Sequence, residues 1–287
     1  MTTVVAQPSR TAMLAAVARG VHREEDAPPL VFDDPFALPL VGPGWEQLYA
    51  MVRGLLPEPV VRQAVGLIVG RSRYAEDALA TASASIAQYV VLGAGLDSFA
   101  WRRPAGYDDV RVFEVDQPAT QEWKRARAAE LSLPQGRATV YVPCDLERDS
   151  LEPALAAAGF DPAAPAFFSC LGLTIYLGTP TIEAILKTVA SCPAGSAIAL
   201  SYSPPEEYVD PAGRILRDAL SPVASAGGED YRTLLSPDDI EKMVEHAGLR
   251  VVDHPTGEEL NARYFAGRAD GLTAPTSERL LVAAVPA

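Results

Sequence analysis

A glycine turn that carries an acidic residue is the part of this sequence best suited to bind a nucleoside. Residues 88–93 form an apolar run typical of a buried strand, and the turn contains Gly93, Ala94, Gly95 and Asp97. Glycine permits a sharp turn and leaves no Cβ between the main chain and a ligand. Ser98 replaces the third glycine of a dinucleotide fingerprint, and Asp97 would repel a pyrophosphate. The turn therefore favours a cationic or zwitterionic nucleoside such as S-adenosylmethionine; the alternative is a turn shaped for packing alone.

Two further apolar segments also end in acidic residues. They are residues 110–115, followed by Asp116 and Gln117, and residues 138–142, followed after two residues by Asp145 and Leu146. Ligands of open α/β sheets bind outside the carboxyl ends of the strands. An acidic residue about 20 positions after a glycine turn can accept hydrogen bonds from both ribose hydroxyls. Asp116 is therefore predicted to bind ribose, whereas the alternative for each aspartate taken alone is a helix cap.

The composition indicates a protein with a large core and no polyanionic partner. The chain has 287 residues, 48% hydrophobic and 21% charged, with a formal charge of −13. Binding a phosphate backbone requires a basic face, so a nucleic-acid partner is not expected. The cysteines, Cys144, Cys170 and Cys192, lie 26 and 22 residues apart, which matches neither a disulfide framework nor a zinc site. We therefore expect no metal and a reducing, cytoplasmic location.

Two uncharged stretches, residues 78–96 and 162–182, are about as long as a membrane span. The first contains polar residues and two glycines, and the second is interrupted by prolines and glycines. Both are therefore predicted to be buried strands with loops. The apolar patch at residues 13–17 is too short for a signal peptide. We expect no association with a membrane.

The order of the predicted elements indicates a helical region followed by an α/β domain. Residues 1–87 have a mainly helical pattern, with Ser9 as the predicted first N-cap, and are expected to form a lid over the ligand. Residues 88–287 alternate strands with helix-length spacers, which predicts a doubly wound, mainly parallel sheet. Its seven strands are predicted at 88–93, 110–115, 138–142, 166–170, 196–202, 249–253 and 279–285. Residues 204–235 are predicted to be a helical insertion that extends the substrate cap.

Five motifs distributed along almost the whole chain carry a family resemblance. They are Arg-Ser-Arg-Tyr-Ala-Glu-Asp at 71–77, Val-Leu-Gly-Ala-Gly-Leu-Asp-Ser-Phe-Ala-Trp-Arg at 91–102, Val-Phe-Glu-Val-Asp-Gln-Pro at 112–118, Ser-Cys-Leu-Gly-Leu-Thr-Ile-Tyr-Leu at 169–177 and Leu-Asn-Ala-Arg-Tyr-Phe-Ala-Gly-Arg-Ala-Asp-Gly-Leu at 260–272. The chain resembles the leucine carboxyl methyltransferase family, and more narrowly the bacterial S-adenosylmethionine-dependent O-methyltransferases of polyketide and other secondary metabolism. This resemblance implies a Rossmann-like class I methyltransferase fold with S-adenosylmethionine as cofactor.

The resemblance also implies roles for individual residues. Arg71, with Arg73 as the second choice, would pair with the carboxylate of the cofactor's methionine moiety, because a guanidinium donates two parallel hydrogen bonds to a carboxylate. The alternative for both arginines is a pair with acidic residues on the helix surface. The glycine turn would approach the cofactor, Asp116 would bind the ribose, and Asp145 with Leu146 would bind the adenine edge.

One position departs from the family pattern. Related sequences have Glu or Trp after the fourth strand, near the methionine moiety, where this chain has Cys170. The resemblance implies that Cys170 lies in the cofactor site, where a contact is lost or the pocket is reshaped. The alternative is a small packing residue in the core, and a nucleophilic role is not expected because no activating neighbour is evident.

Methyl transfer from a sulfonium requires the acceptor oxygen in line with the methyl group and requires no metal. A carboxylate acceptor is ionised at neutral pH, whereas a phenol needs a base. The three histidines, His22, His246 and His254, fall in no segment predicted to lie at the strand ends, which favours a carboxylic acid over a phenol. The predicted substrate-pocket residues are Tyr202, Arg263, Tyr264 and Arg268.

The leading hypothesis is thus an S-adenosylmethionine-dependent O-methyltransferase that acts on a carboxylic acid or phenolic hydroxyl of a small secondary metabolite. The alternative is a protein of the same fold that binds S-adenosylmethionine without transferring the methyl group. Nicotinamide-dependent oxidoreduction is disfavoured by Asp97 and Ser98. The sequence leaves open the identity of the acceptor and the oligomeric state.

Overall fold

The computed structural model describes residues 8–82, 86–134 and 139–287. Residues 1–7 and 83–85 of the predicted lid, and residue 138 of the predicted third strand, lie outside the described residues. A seven-stranded sheet has the order β3-β2-β1-β4-β5-β7-β6. Its strands are β1 (Gln88–Leu92), β2 (Arg111–Asp116), β3 (Thr139–Pro143), β4 (Ala166–Cys170), β5 (Ala197–Tyr202), β6 (Arg250–Asp253) and β7 (Arg279–Ala284). This sheet confirms the predicted doubly wound, mainly parallel α/β class.

Strand β7 is the one antiparallel member of the described sheet. Strands β1 to β5 pair in parallel, whereas β7 pairs antiparallel with both β5 and β6. Arg279 at the beginning of β7 is paired with Tyr202 at the end of β5. The beginning of β7 therefore lies at the edge where the parallel strands end.

Helices surround the sheet and connect its strands. Their bounds are α1 (Arg10–Glu25), α2 (Ala37–Val41), α3 (Trp45–Leu55), α4 (Glu58–Thr81), α5 (Phe99–Arg102), α6 (Pro118–Glu130), α7 (Leu151–Ala157), α8 (Thr179–Ala190), α9 (Pro211–Ser225), α10 (Pro237–His246) and α11 (Gly257–Tyr264). Helix α9 lies within the predicted insertion, and α1 to α4 precede the first strand as predicted.

Capping residues set several helix ends. The Ser9 side chain accepts a hydrogen bond from the Ala12 N–H and so caps α1, as predicted. Helix α6 has Pro118 at its first position, where a missing N–H costs nothing. Helix α10 begins with a capping box between Ser236 and Asp239. These local signals place the helix beginnings next to the strand ends that form the site.

The alternation of side chains along the buried strands produces two core layers. Val90, Phe113 and Phe168 face one side of the sheet, where α7, α8 and α10 pack. Tyr89 and Phe167 face the other side, where they pack with apolar residues of α4. Helix α4 therefore covers a face of the sheet, so this part of the predicted lid region forms a structural layer of the core.

Candidate cofactor and substrate site

A cavity of about 630 Å³ lies at the carboxyl ends of the parallel strands. Its walls come from the loops after β1, β2, β3 and β4 and from α1, α4 and α9. Every predicted cofactor residue except Arg73 and Cys170 lines it: Arg71, Gly93, Ala94, Gly95, Asp97, Asp116, Gln117, Asp145 and Leu146. This is the position at which open α/β sheets bind ligands.

The glycine turn has the backbone conformation that its sequence requires. Gly93 has φ 63° and Gly95 has φ 48°, a region that L side chains rarely adopt. A Cβ at Gly95 would lie 2.9 Å from the Cβ of Ala12, at the beginning of α1. The beginning of α1 therefore covers the turn closely. Asp97 accepts a hydrogen bond from the Phe99 N–H at 2.8 Å and so also orders the start of α5.

Asp116 connects the second strand to the glycine turn. One carboxylate oxygen accepts a hydrogen bond from the Gly95 N–H, and the other accepts one from the Gln117 N–H at 2.6 Å. Burial raises the pKa of Asp116, while these two hydrogen bonds act in the opposite direction. Each carboxylate oxygen retains a lone pair, so the group can accept a pair of ribose hydroxyls.

The loop after β3 forms the neighbouring part of the wall. Asp145 accepts a hydrogen bond from the Glu147 N–H at 3.1 Å, and Leu146 lies between them along the cavity. Glu147 in turn accepts a hydrogen bond from the Gly178 N–H at 2.9 Å. An apolar side chain flanked by carboxylates suits a flat heteroaromatic group that carries an amino group.

Arg71 reaches the cavity from α4, where it meets a carboxylate that sequence reasoning missed. One guanidinium nitrogen donates to Glu278 Oε2 at 2.7 Å, and both side chains are nearly buried. A Cβ at Gly172 would lie 2.6 Å from that nitrogen, so the guanidinium packs directly on the glycine backbone after β4.

Arg73 does not share this position, which corrects its prediction as the second choice for the cofactor carboxylate. Its guanidinium donates to Asp77 Oδ1 at 2.7 Å on a half-exposed surface. Arg73 lies two positions beyond Arg71, which on a helix turns its side chain to a different face. This is the helix-surface pair that the sequence offered as the alternative.

Cys170 lies in the core on the α8 side of the sheet, where it is 1% exposed. Burial raises the pKa of its thiol to about 12, so the group stays neutral. Leu171 and Gly172, the next two residues, line the cavity instead. The expectation that Cys170 contacts the cofactor is therefore corrected to a packing role.

Tyr202 lines the cavity, but its hydroxyl is already engaged. It lies 2.7 Å from His254 Nε2, and His254 Nδ1 lies 2.6 Å from Glu241 Oε1. His254 follows β6 directly, so the prediction that all three histidines lie away from the strand ends is wrong. The alternating strand pattern that located β6 also carried this information, because β6 ends at the same edge as β5.

The three other substrate-pocket candidates lie outside the cavity wall. Arg263 forms a two-point ion pair with Asp253, and the hydroxyl of Tyr264 donates to Asp77 at 3.0 Å. Arg268 pairs with Asp270 and donates to backbone carbonyls near the end of α1. These side chains brace α11 and its following loop against α4 and the α1–α2 loop, which corrects their predicted role in the acceptor pocket.

The cavity extends from the glycine turn into an apolar chamber between α1, α4 and α9. The residues that give it this character are Leu14, Val17, Val61, Val65, Ile68, Leu216, Leu220 and Val223. Arg217 on α9 also lines it and donates to the carbonyls of Pro204 and Ser277 at 2.8 and 3.2 Å. Burial lowers the pKa of Arg217 from its ordinary value, yet an arginine keeps its charge at neutral pH.

The described residues contain no group of three or more His, Cys, Asp or Glu side chains arranged to hold a metal ion. None of the helices in these described ranges has the length and apolar character needed to cross a bilayer.

Solved structures identify the class of fold. A DUF574 family protein from Streptomyces avermitilis superposes with a TM-score of 0.62 at 17% identity, covering 98% of this chain and 99% of that one. A protein from Thermobifida fusca, named as a candidate methyltransferase, gives a TM-score of 0.60 at 16% identity over 99% and 97% of the two chains. The fold is therefore that of the class I methyltransferases.

Sequence comparison identifies the family. The model for leucine carboxyl methyltransferase matches residues 12–190. YktD of Bacillus subtilis (strain 168) is 27% identical over 93% of this chain and 95% of its own length, and Rv1729c of Mycobacterium tuberculosis (strain ATCC 25618 / H37Rv) is 36% identical over 67% and 64%. Both are named as candidate S-adenosyl-L-methionine-dependent methyltransferases. The chain belongs to the leucine carboxyl methyltransferase family, whose members are S-adenosylmethionine-dependent methyltransferases.

Proposed function

We propose that the protein transfers the methyl group of S-adenosylmethionine to an oxygen atom of a small secondary metabolite, either a carboxylic acid or a phenol. The observation that carries this proposal is the continuity of the cavity. One volume joins the glycine turn and its acidic strand ends to an apolar chamber under α1, α4 and α9. A nucleoside can lie at the polar end while the body of an apolar acceptor fills the chamber.

The polar end fits the cofactor in each of its parts. Asp116 would accept the ribose hydroxyls, and Gly93 and Gly95 would let the chain approach the ligand closely. Asp145 and Leu146 would bind the adenine edge, and Asp97 and Gln117 would complete this wall. Arg71 would pair with the methionine carboxylate.

The chamber favours a carboxylic acid as the acceptor. When bound, the cofactor supplies the methyl group from its sulfonium. Arg217 carries a charge that can hold an acceptor carboxylate, and in the described ranges its guanidinium forms no salt bridge. A carboxylate needs no base, whereas a phenol would have to lose its proton to a group such as the Tyr202–His254 pair. The covering helix α1 would exclude water from the reacting atoms.

The test combines binding with product chemistry. Isothermal titration with S-adenosylhomocysteine is expected to show binding, and incubation with labelled S-adenosylmethionine and a panel of aromatic and aliphatic acids and phenols is expected to label an acid. Mild alkali releases labelled methanol from a methyl ester and leaves a methyl ether intact, so it identifies the acceptor oxygen. Binding without transfer to any acceptor would favour the non-transferring alternative and contradict the proposal.

The substitution Arg217→Met tests the acceptor site. Arg214→Met is the matched control, because Arg214 lies on the same helix but outside the cavity wall. We expect Arg217→Met to raise KM for the acid about 10-fold or more and leave cofactor affinity unchanged, because a charge-assisted hydrogen bond is lost. An unchanged KM would refute the role of Arg217.

A further inference from the structure

The Arg71–Glu278 pair on the cavity wall has one carboxylate oxygen that is buried without a partner among the described residues. Glu278 Oε2 accepts a hydrogen bond from Arg71 at 2.7 Å, while Glu278 Oε1 has no hydrogen-bond partner within the described parts of the chain. The Glu278 side chain is 10% exposed and lies on the cavity wall. A buried carboxylate oxygen without a donor is unfavourable, so the site has an unused acceptor for a cationic or N–H group.

The position of the pair matches one end of the cofactor. Arg71 packs on Gly172 directly after β4, and β4 is hydrogen-bonded to β1, which leads into the glycine turn. A positive and a negative group thus lie side by side next to the proposed nucleoside site. An α-amino acid carries a negative carboxylate and a positive ammonium group on the same carbon. The carboxylate is complementary to the Arg71 guanidinium, and the ammonium group is complementary to the Glu278 carboxylate. A zwitterion could therefore satisfy both side chains and leave the buried site neutral.

Among residues 169–172, at the end of β4 and just after it, no side chain is a competing partner for an ammonium group. Cys170 is in the core, and Leu171 on the cavity wall is apolar. The hydroxyl of Ser169 already accepts a hydrogen bond from Tyr89 at 2.9 Å.

We propose that Glu278 binds the ammonium group of the cofactor's methionine moiety, so that Arg71 and Glu278 together form a clamp for its amino-acid end. This inference rests on the proposed function. It assigns a binding residue directly before the last strand, β7, outside the glycine turn and acidic strand ends that the sequence indicated.

The experiment compares three ligands by isothermal titration with purified full-length protein. S-adenosylhomocysteine has both charged groups, its deaminated analogue keeps only the carboxylate, and 5′-methylthioadenosine has neither. We expect Glu278→Gln to weaken S-adenosylhomocysteine binding by about 10- to 100-fold, since charge-assisted hydrogen bonds are lost. Binding of the other two ligands is expected to change less than about twofold.

Glu183→Gln on the exposed face of α8 is the matched control, and melting curves check that each variant is folded. Glu278→Asp keeps the charge on a shorter side chain. We expect it to lose an intermediate amount of affinity for S-adenosylhomocysteine and none for the other two ligands. This variant replaces Glu278→Gln in the experiment if Glu278→Gln does not fold.

The possible failures can be told apart. If the wild-type protein binds none of the three ligands, the proposed function fails. If it binds them and Glu278→Gln loses the same factor with the deaminated analogue, Glu278 serves only to hold Arg71 and the clamp is refuted. If Glu278→Gln binds all three normally and loses only methyl transfer, Glu278 acts as a base and the clamp is again refuted.

Discussion

The carboxylate of Asp116 contacts the glycine turn and also faces the cavity. It accepts hydrogen bonds from the Gly95 and Gln117 N–H groups, and it faces the cavity at the position proposed for the ribose. The same side chain therefore shapes the glycine turn and, under the proposed function, would offer acceptors to the ribose. A neutral side chain at this position would weaken both interactions.

We expect Asp116→Asn to weaken S-adenosylhomocysteine binding about 10- to 150-fold, because charge-assisted hydrogen bonds to the ribose and to the turn are weakened. Isothermal titration measures this, with Asp108→Asn on an exposed loop as the control. Unchanged affinity in a folded Asp116→Asn variant would show that the ribose lies elsewhere.

At the scale of elements, the beginning of α1 is fastened across the cavity. The Thr11 hydroxyl donates at 2.6 Å to Oε2 of Glu229, a residue that follows α9. The Ser9 N–H donates at 3.3 Å to the hydroxyl of Thr120 on α6. These contacts join α1 to α9 and α6 over the glycine turn. We therefore predict that ligand exchange requires this end of α1 to move, as lids do in many enzymes.

We expect Thr11→Val, which keeps the shape but removes the hydroxyl, to increase the rate of S-adenosylhomocysteine dissociation about 10-fold, since a hydrogen bond to a carboxylate holds the closed state. Stopped-flow displacement measures the rate. Thr188→Val on α8, whose hydroxyl bonds only to its own helix at Ala184, is the matched control. Equal dissociation rates would show that α1 does not gate the cavity.

Asp34 links the N-terminal helical region to α5, the short helix that follows the glycine turn. Its Oδ2 accepts from Arg19 at 2.8 Å, and Arg102 lies 3.7 Å from its Oδ1. Arg19 also donates to the carbonyl of Leu96 at 2.7 Å. Although burial acts to raise the pKa of Asp34, Arg19 and Arg102 outweigh it and lower the pKa from 3.8. The carboxylate is fully ionised in the neutral range.

We expect Asp34→Asn to reduce the free energy of unfolding by about 3 kcal/mol at pH 7, because two buried arginines lose their counter-charge. A carboxylate with a lowered folded-state pKa stabilises the fold fully above its unfolded value of 3.8, and this stabilisation is lost as pH falls through the lower folded-state pKa. Urea unfolding at several pH values should thus show the difference shrinking only below about pH 3.8. A difference that is constant down to pH 3 would contradict this assignment.

At the scale of the whole molecule, a buried ion pair joins the sheet to α6. Lys124 Nζ lies 2.6 Å from Glu114 Oε2, and both side chains are 1% exposed. Removal of one partner leaves a charge that cannot reach water.

We expect Glu114→Gln to reduce the free energy of unfolding by about 3 to 5 kcal/mol. The double variant Glu114→Leu/Lys124→Met should recover most of the loss, because a well-packed apolar pair is often as stable as a buried ion pair. Urea unfolding of both variants checks this. A double variant less stable than Glu114→Gln would show that the charges themselves hold the two elements together.

The sequence predicted the strands well because buried strands are apolar throughout. The bounds of all seven strands were predicted to within about two residues. The glycine turn and the aspartates that follow the first three strands, which the sequence singled out, line one cavity in the structure. What local pattern does not contain is strand order and direction. Glu278 reaches the cavity only because β7 is antiparallel, and this direction is not encoded in the periodicity of that segment. His254, by contrast, directly follows the strand predicted at 249–253, so its place at a strand end beside Tyr202 could have been predicted.

Long-range pairing explains the arginines that were misplaced. Arg268 donates to the carbonyls of Ala27 and Pro29, more than 230 residues earlier in the chain. Arg217 is a different case, because it was not among the predicted site residues: the helical insertion was predicted, but the side of α9 that faces the chamber was not. A charged residue in a family motif can serve packing between distant segments as readily as it serves a ligand.

The direction of β7 has a practical consequence. Ala284 at its end is paired with Ala197 at the beginning of β5. Strand β7 therefore runs from the side of the sheet where the cavity lies to the side where the parallel strands begin, roughly 20 Å away. An affinity tag or a biosensor tether attached after residue 287 would therefore leave the molecule on its far side. Immobilisation by that end should keep the ligand mouth open to solution.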